Sequence, residues 1–243
     1  MSYVLIIGAK SDIAKATARE YAKNGYDIYL AARQSTELED FSNDLKVRSA
    51  QNIKLLELDI LDYKSHQKFY DNLDEKPLGI IVAVGYLGEQ KNAALDFKES
   101  QKIIDTNYTG IVSILNIIAN DFEHRKSGFI VGISSVAGDR GRKSNYIYGS
   151  AKAALSTYLS GLRNRLYDSK VHVMTVKPGF VATSMTEGMD LPEKLTAQPA
   201  DVAFDIYNSQ QKNVNVLYTK WIWKWIMLII KNIPEWKFKG MSI

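Results

Sequence analysis

The sequence predicts a three-layer α/β fold: a doubly wound parallel sheet of about seven strands, with an amphipathic helix at its C-terminal end. Two observations lead there. Short, β-branched, nearly unbroken apolar runs alternate with helical spacings from the first residues onward. That is the pattern of strands buried on both faces and joined by helical crossovers. A glycine also follows directly on the first run, in Gly8-Ala-Lys-Ser-Asp12-Ile-Ala14, where a strand must turn sharply into a helix.

Residues 4–7, 28–32, 53–58, 80–84, 129–133 and 171–176 read as strands, and 214–218 as a seventh. Helical spacing runs through 11–24, 36–46, 63–73, 100–122 and 148–167. Neither a repeat nor a proline-rich linker divides the chain. Residues 1–219 therefore read as one domain and 220–243 as a basic, tryptophan-rich appendage.

Composition removes several functions. With 243 residues, 46% of them hydrophobic, the chain has ample material for one core. It contains no cysteine, which excludes disulfides, thiolate metal sites and cysteine nucleophiles. His66, His124 and His172 lie far apart without a metal-ligand spacing, so no metal site is expected. Met1-Ser-Tyr-Val enters an apolar strand with no basic region before it, which is not the form of a signal peptide, and the cytoplasm is the expected compartment. The net charge of +4 resides in residues 220–243, which hold five lysines, one acid and all four tryptophans. A neutral body of this kind argues against nucleic-acid binding, which needs a basic face on the fold.

Chemistry is suggested first by Tyr148 and Lys152, one helical turn apart, with Ser135 thirteen residues before the tyrosine. A phenol titrates near a pKa of about 10. A lysine charge about 4 Å away at an effective dielectric of 20 is worth roughly 4 kcal/mol, or about three pKa units. Such a pair can move a proton near neutrality, and a serine hydroxyl can hold the oxygen that exchanges it. Taken alone, Tyr-x-x-x-Lys is a common helical coincidence. At the other end, the Gly8 turn opens a helix N-terminus to a diphosphate. Arg33 ends the second strand where a ribose-binding acid would sit, and with Lys10 it suits a ribose phosphate; it is equally a solvated loop cation. Asp59 could bond an adenine amino group or cap the segment after it.

Taken together, these pieces resemble the short-chain dehydrogenase/reductase family over residues 3–218. The matching elements are the Gly8 turn, Asp59-Ile60, Asn107, Ser134-Ser135, Tyr148-x-x-x-Lys152 and Lys177-Pro-Gly-Phe-Val181-Ala-Thr183. The resemblance implies a Rossmann fold and hydride exchange between a nicotinamide dinucleotide and a carbonyl or alcohol. It implies Tyr148 as general acid–base, Lys152 as the residue lowering its pKa and bonding the nicotinamide ribose, and Ser135 as the residue orienting the substrate oxygen. Asn107 would position Lys152 through water and complete a relay. Gly8, Lys10, Ser11, Asp12, Ile13, Arg33, Asp59, Ile60, Gly85, Tyr148, Lys152, Pro178, Gly179, Val181 and Thr183 would bind the cofactor, with Thr183 near its carboxamide. NADP(H) is favoured by Arg33, with NAD(H) as the alternative. A homodimer or homotetramer is implied likewise.

Two departures from the family stand out. Asp12 and Ala14 occupy places usually taken by glycine, and Asp12 reads as a helix cap that keeps its charge off the diphosphate. Val82-Ala-Val-Gly85 replaces the usual Asn-Asn-Ala-Gly. In the appendage, Lys220, Lys224 and Lys231 fall on one helical stripe opposite tryptophans and isoleucines. That suits a helix lying on a membrane surface through 220–239, on the inner face of the membrane; a subunit contact or active-site lid is the alternative. The atypical turn and this tail are similar to the branch of reductases that act on polyprenyl-phosphoryl 2-keto-pentoses. The expected substrate is thus a small-molecule or lipid-linked carbonyl compound. A cytosolic enzyme for a small alcohol or 3-oxoacyl substrate, and a non-catalytic nucleotide sensor or scaffold, are the competing readings. Residues 184–195 read as an apolar flexible lid.

Overall fold

Both alternating registers of the first strand, β1 (Tyr3–Ile7), are apolar, and the fold uses both. Tyr3, Leu5 and Ile7 enter one core, Val4 and Ile6 the other. The structure is a computed structural model and describes residues 2–241. From β1 the chain passes through α1 (Asp12–Lys23), β2 (Asp27–Ala32), α2 (Glu39–Ser49), β3 (Ile53–Glu57), α3 (His66–Asp71) and β4 (Gly79–Val82). Next come α4 (Gln90–Leu95), α5 (Phe97–Ile104), α6 (Gly110–Arg125), β5 (Phe129–Ile133), α7 (Tyr146–Arg165) and β6 (His172–Pro178). A short pair, β7 (Phe180–Val181) and β8 (Thr196–Ala197), precedes α8 (Pro199–Gln211), β9 (Val216–Thr219), α9 (Ile222–Asn232) and α10 (Glu235–Phe238).

Seven strands form one parallel sheet in the order β3-β2-β1-β4-β5-β6-β9, as the alternation predicts. Helices α3, α6 and α7 cover the first core, with Ile111, Ile114, Leu115, Leu155 and Leu159 fully buried. Helices α1, α2 and α8 cover the second, through Ala14, Ala18, Leu45, Val202 and Ile206. Each such aliphatic side chain contributes about 1.5–3 kcal/mol through burial. The strand order reverses between β1 and β4, which opens a crevice at the carboxyl ends of those strands.

Three features differ from the sequence reading. The helix expected over 100–122 is two helices, α5 and α6, joined by a π turn at Asp105–Thr109. Asn107 causes the break. Its Nδ2 donates to the Ile103 carbonyl at 2.8 Å and to the Tyr86 carbonyl at 2.6 Å, which draws the ladder out of register. Segment 184–195 is pinned at both ends by the β7–β8 pairing, with Phe180 opposite Thr196 and Val181 opposite Ala197. Helix α8, begun by Pro199 at its first turn, was not anticipated.

Gly8 shows why the turn needs glycine. Its φ is +84°, and a Cβ there would lie 2.8 Å from both Ala83 C and Val84 N. The clash is with backbone on the neighbouring strand exit, which cannot step aside. Gly8→Ala is expected to lower unfolding stability by about 2 kcal/mol or more, the left-handed penalty of about 1–2 kcal/mol plus the clash, read as a lower urea midpoint.

Candidate active site and nucleotide cleft

Ser135 leaves the end of β5 on a short 3₁₀ turn, Val136–Gly138, that lies flat on α7. Two glycines permit the approach. A Cβ on Gly138 would sit 2.7 Å from Ala153 N, and one on Gly149 would sit 2.8 Å from Ala137 O. Ser134 locks the same seam: its hydroxyl donates to the Lys152 carbonyl at 2.9 Å and exchanges a 2.7 Å hydrogen bond with Ser156. The seam brings the Ser135 hydroxyl close enough to Tyr148 to act on its phenol, while its Oγ accepts from Ala137 N at 3.1 Å.

The electrostatics differ from the expected lysine-on-phenolate pair. Burial pushes the Tyr148 phenol up to about 12, and the Ser135 hydrogen bond only partly opposes it. Lys152 is 2% exposed, and burial pushes its ammonium down to about 7. Its Nζ stands 5.8 Å from the Tyr148 ring centre and donates to the carbonyls of Ile133 at 3.0 Å and Val84 at 3.3 Å. In the free chain the lysine charge therefore does not bring the phenol toward neutrality; desolvation dominates both groups. The phenol of Tyr148 is thereby kept protonated through the neutral range.

Asn107, fully buried, reaches the same loop from the π turn. Its Oδ1 accepts from Tyr86 N at 3.2 Å while Nδ2 serves the Tyr86 carbonyl. The departure at Val82–Gly85 from the family's asparagines is thus met by backbone: Lys152 and Asn107 hold the two ends of Val84–Tyr86. Gly85 lies between them, since a Cβ there would be 3.6 Å from Asn107 Oδ1, 3.9 Å from Lys152 Nζ and 3.3 Å from Met185 Cε. Met185 thereby closes the segment after Thr183 over this point.

Toward the other end of the crevice lie Gly8, Ser11, Asp12 and Ile13. Ser11, not Asp12, caps α1: its Oγ accepts from Ala14 N at 3.2 Å. Asp12 instead crosses the cleft, and its Oδ2 accepts from Ser184 N at 2.8 Å and Ser184 Oγ at 3.1 Å. That correction has a simple cause, because Ser11 holds the extended backbone a cap requires and Asp12 is already helical. The amides of Asp12 and Ile13 have no intrahelical acceptor, as in any first turn, and face an incoming anion.

Arg33 is exposed at the end of β2. Lys10 is paired with Glu37 at 2.7 Å. Glu57 accepts from the Ser35 and Gln34 amides at 2.8 and 2.7 Å, which hold its carboxyl below the ordinary range and shape the loop that carries Arg33. Asp59 turns its Oδ1 to Leu61 N at 2.9 Å and so closes a local turn; it does not cap a helix, since α3 begins only at His66 after Ser65. Ile60 is buried, its carbonyl against Gly110. Pro178 ends β6, buried beside Gly179 and Val181, and Thr183 caps the short turn Ser184–Thr186. A cavity of about 1030 Å³ between α1 and residues 182–200 includes Asp12 and Thr183 but neither Ser135 nor Tyr148.

Sequence reasoning missed how the tail meets this site. Trp223 and Met227 of α9 are buried with Val136, beside Ser135. Trp223 covers Gly179, where any Cβ would overlap its indole, and donates to the Leu195 carbonyl at 3.1 Å. Arg140 caps the other end of α9, donating to the carbonyls of Ile230 at 2.7 Å and Ile233 at 2.6 Å, with Phe238 stacked 3.7 Å from its guanidinium. Lys220 lies before the helix, bonded to the Lys194 carbonyl at 3.2 Å, and so leaves the expected lysine stripe.

A family profile described as short chain dehydrogenase matches residues 2–194. An uncharacterised oxidoreductase of Mycobacterium tuberculosis is 33% identical over 241 residues, covering 98% of this chain and 96% of its own length. An NADP-dependent 3-hydroxy acid dehydrogenase of Schizosaccharomyces pombe is 30% identical, covering 75% of this chain and 73% of its own. Among solved structures, a short-chain dehydrogenase from Sphingobium yanoikuyae in complex with NADPH superposes with a TM-score of 0.84 at 22% identity, covering 100% of this chain and 99% of that one.

Proposed function

The chain belongs to the short chain dehydrogenase family of NAD(P)-dependent oxidoreductases, and on that premise we propose that it reduces a carbonyl to an alcohol with NADP(H), on a keto-sugar carried by a lipid phosphate. The observation that carries the chemistry is the Ser135 hydroxyl beside Tyr148, with the phenol held protonated by burial. Gly8 and the first-turn amides of α1 form a cradle that only a group approaching backbone fills, which fits a dinucleotide diphosphate. Arg33 provides a cation for a ribose phosphate, and the NADPH carried by the Sphingobium structure agrees with it. Bound there, the cofactor supplies hydride. The rest belongs to the chain: Ser135 holds the carbonyl oxygen, Tyr148 gives it the proton, and Lys152 with Asn107 keeps the Val84–Tyr86 backbone in place behind them.

The lipid part of the reading is supported by the exposed residues of α9 and of the segments on either side of it, Trp221 before it and α10 after it. Trp221 and Trp236 are 72% and 75% exposed, and Trp225, Leu228 and Ile229 lie open beside Lys224 and Lys231. Tryptophans and lysines on one exposed surface suit the headgroup region of a membrane. Among the described residues no helix is long and apolar enough to cross one. A hydroxy-acid substrate is the second reading, favoured by the Schizosaccharomyces relative.

The test is oxidation of NADPH and NADH across a panel of a lipid-linked keto-pentose, free keto-sugars and 3-oxo acids. Fastest turnover on the lipid-linked ketone, with flotation on anionic liposomes that is lost in Trp221→Ser/Trp225→Ser, is the expected result. Preference for a 3-oxo acid together with no flotation overturns it in favour of the second reading.

A further inference from the structure

Three polar atoms near the start of α7 are enclosed by protein and have no hydrogen-bond partner among the described residues: Gln90 Nε2, Arg142 Nε and Asn145 Oδ1. Burying such atoms unpaired is costly, and folded proteins rarely keep three together without a use. Gln90 and Asn145 meet the first turn of α7, and Arg142 lies in the loop that leads into it. Gln90 accepts through Oε1 from Ile147 N at 3.1 Å, the residue before Tyr148. Asn145 N donates to the Arg142 carbonyl at 3.1 Å, and the Asn145 carbonyl accepts from Gly149 N at 2.8 Å. Asn145 precedes the helix yet its side chain does not cap it. Its Oδ1 lies instead about where Gly149 and the Ser135 turn meet, 4.0 Å from the point a Gly149 Cβ would occupy.

Arg142 is the unusual member. Burial lowers the pKa of its guanidinium, and the acid whose field it feels is Asp139. That carboxylate is already taken by Lys177 and by the Tyr218 hydroxyl at 2.8 Å. Arg140, two residues earlier, is by contrast fully engaged with the end of α9. One loop between Ser135 and Tyr148 thus holds one arginine that is structurally committed and one that is not.

We infer that Arg142, Asn145 and Gln90 form the polar subsite of the substrate: a guanidinium for a phosphate or phosphodiester, with a carboxamide oxygen and an amide N–H for neighbouring hydroxyls. The inference rests on the carbonyl-reductase reading and names its substrate class, a polyhydroxylated ketone bearing an anionic phosphate. A planar guanidinium without a protein carboxylate is the group that pairs with phosphate oxygens through parallel hydrogen bonds.

The experiment compares the full chain with Arg142→Met and Arg142→Lys, saturated with NADPH, on an uncharged ketone, a free keto-pentose, its 5-phosphate and a polyprenyl-phosphoryl keto-pentose. Arg142→Met is expected to lower kcat/KM on phosphorylated substrates about 10–100-fold, the range of one charge-assisted contact, and on uncharged ones less than about threefold. Arg142→Lys recovers part of the loss. A deficit shared by both phosphorylated ketones assigns the site to phosphate as such; a deficit confined to the polyprenyl compound assigns it to the lipid phosphodiester. Melting temperature should hold or rise in Arg142→Met, since an unpaired buried charge has been removed. Equal losses on charged and uncharged ketones, or a lower melting temperature without substrate discrimination, overturn the inference. Should no ketone turn over, the reductase reading fails by itself, and calorimetric binding of pentose 5-phosphate to the NADPH-loaded chain decides the subsite: binding weakened by Arg142→Met upholds it, and unchanged or absent binding overturns it.

Discussion

Tyr148→Phe is expected to lower kcat/KM for carbonyl reduction by about 10²- to 10⁴-fold, the span that a positioned acid–base group commands. Affinity for NADPH should change little, because the change removes one oxygen and keeps the ring against α7. Stability should also hold, because the change removes one buried hydroxyl from beside Ser135 and keeps the ring. Steady-state kinetics, fluorescence titration with NADPH and thermal melting on the same preparation separate the three effects. A variant that loses turnover and NADPH affinity together would place Tyr148 in cofactor binding rather than in proton transfer. The direction of the shift also bears on the reaction. With burial pushing the phenol up to about 12 and Lys152 down to about 7, the phenol stays protonated through the neutral range, so a change in the reductive rate near pH 7 should report Lys152 and be lost in Lys152→Met.

Lys152→Met should combine loss of activity with a change in stability that depends on pH. The lysine titrates near 10.5 when unfolded and is pushed down to about 7 by burial. Between those values the unfolded chain binds more protons than the folded one, so stability rises with pH across that window. Below about pH 7 the full cost of the buried ammonium is present, of order 5 kcal/mol at 1.36 kcal/mol per unit. Methionine removes that cost but leaves the Val84 and Ile133 carbonyls without their donor, at about 1–3 kcal/mol each. The trend with pH is fixed: the variant fares better relative to the native chain at pH 6 than at pH 10. Urea midpoints of both proteins at the two pH values read it directly. A difference independent of pH would show that the ammonium is not held against its own desolvation.

Much of the molecule follows from local pattern. Two-sided apolar strands announce a covered parallel sheet, and β1 shows why: either register of Tyr3–Ile7 can be buried. That Ser135 serves the same site as Tyr148 was implied by the family resemblance, while the strand end and the helix start that carry them are set by short-range signals. What escaped was set by contacts between distant segments. The Asp12 carboxylate goes to Ser184, far away in sequence, so no reading of the first turn could choose it over a cap. Asn107 breaks its helix because Tyr86, on another element, offers backbone for its carboxamide. The tail illustrates the same limit. Its periodicity shows an amphipathic helix, but both of its faces are apolar, and only packing decides that Trp223 and Met227 turn inward while Trp221 and Trp225 remain outside. Electrostatics escaped for a different reason. Spacing places Lys152 one turn from Tyr148, yet burial, which sequence does not report, outweighs the charge between them.

The most direct test of the account is transfer of label from NADPH deuterated at the reactive C4 position, followed by mass spectrometry of the product alcohol. The account predicts one deuterium on the carbinol carbon of a lipid-linked keto-pentose, transferred by the native chain and reduced by at least about 100-fold in rate in Tyr148→Phe. Label absent from every carbonyl compound offered, or incorporated at the same rate by both proteins, would contradict it.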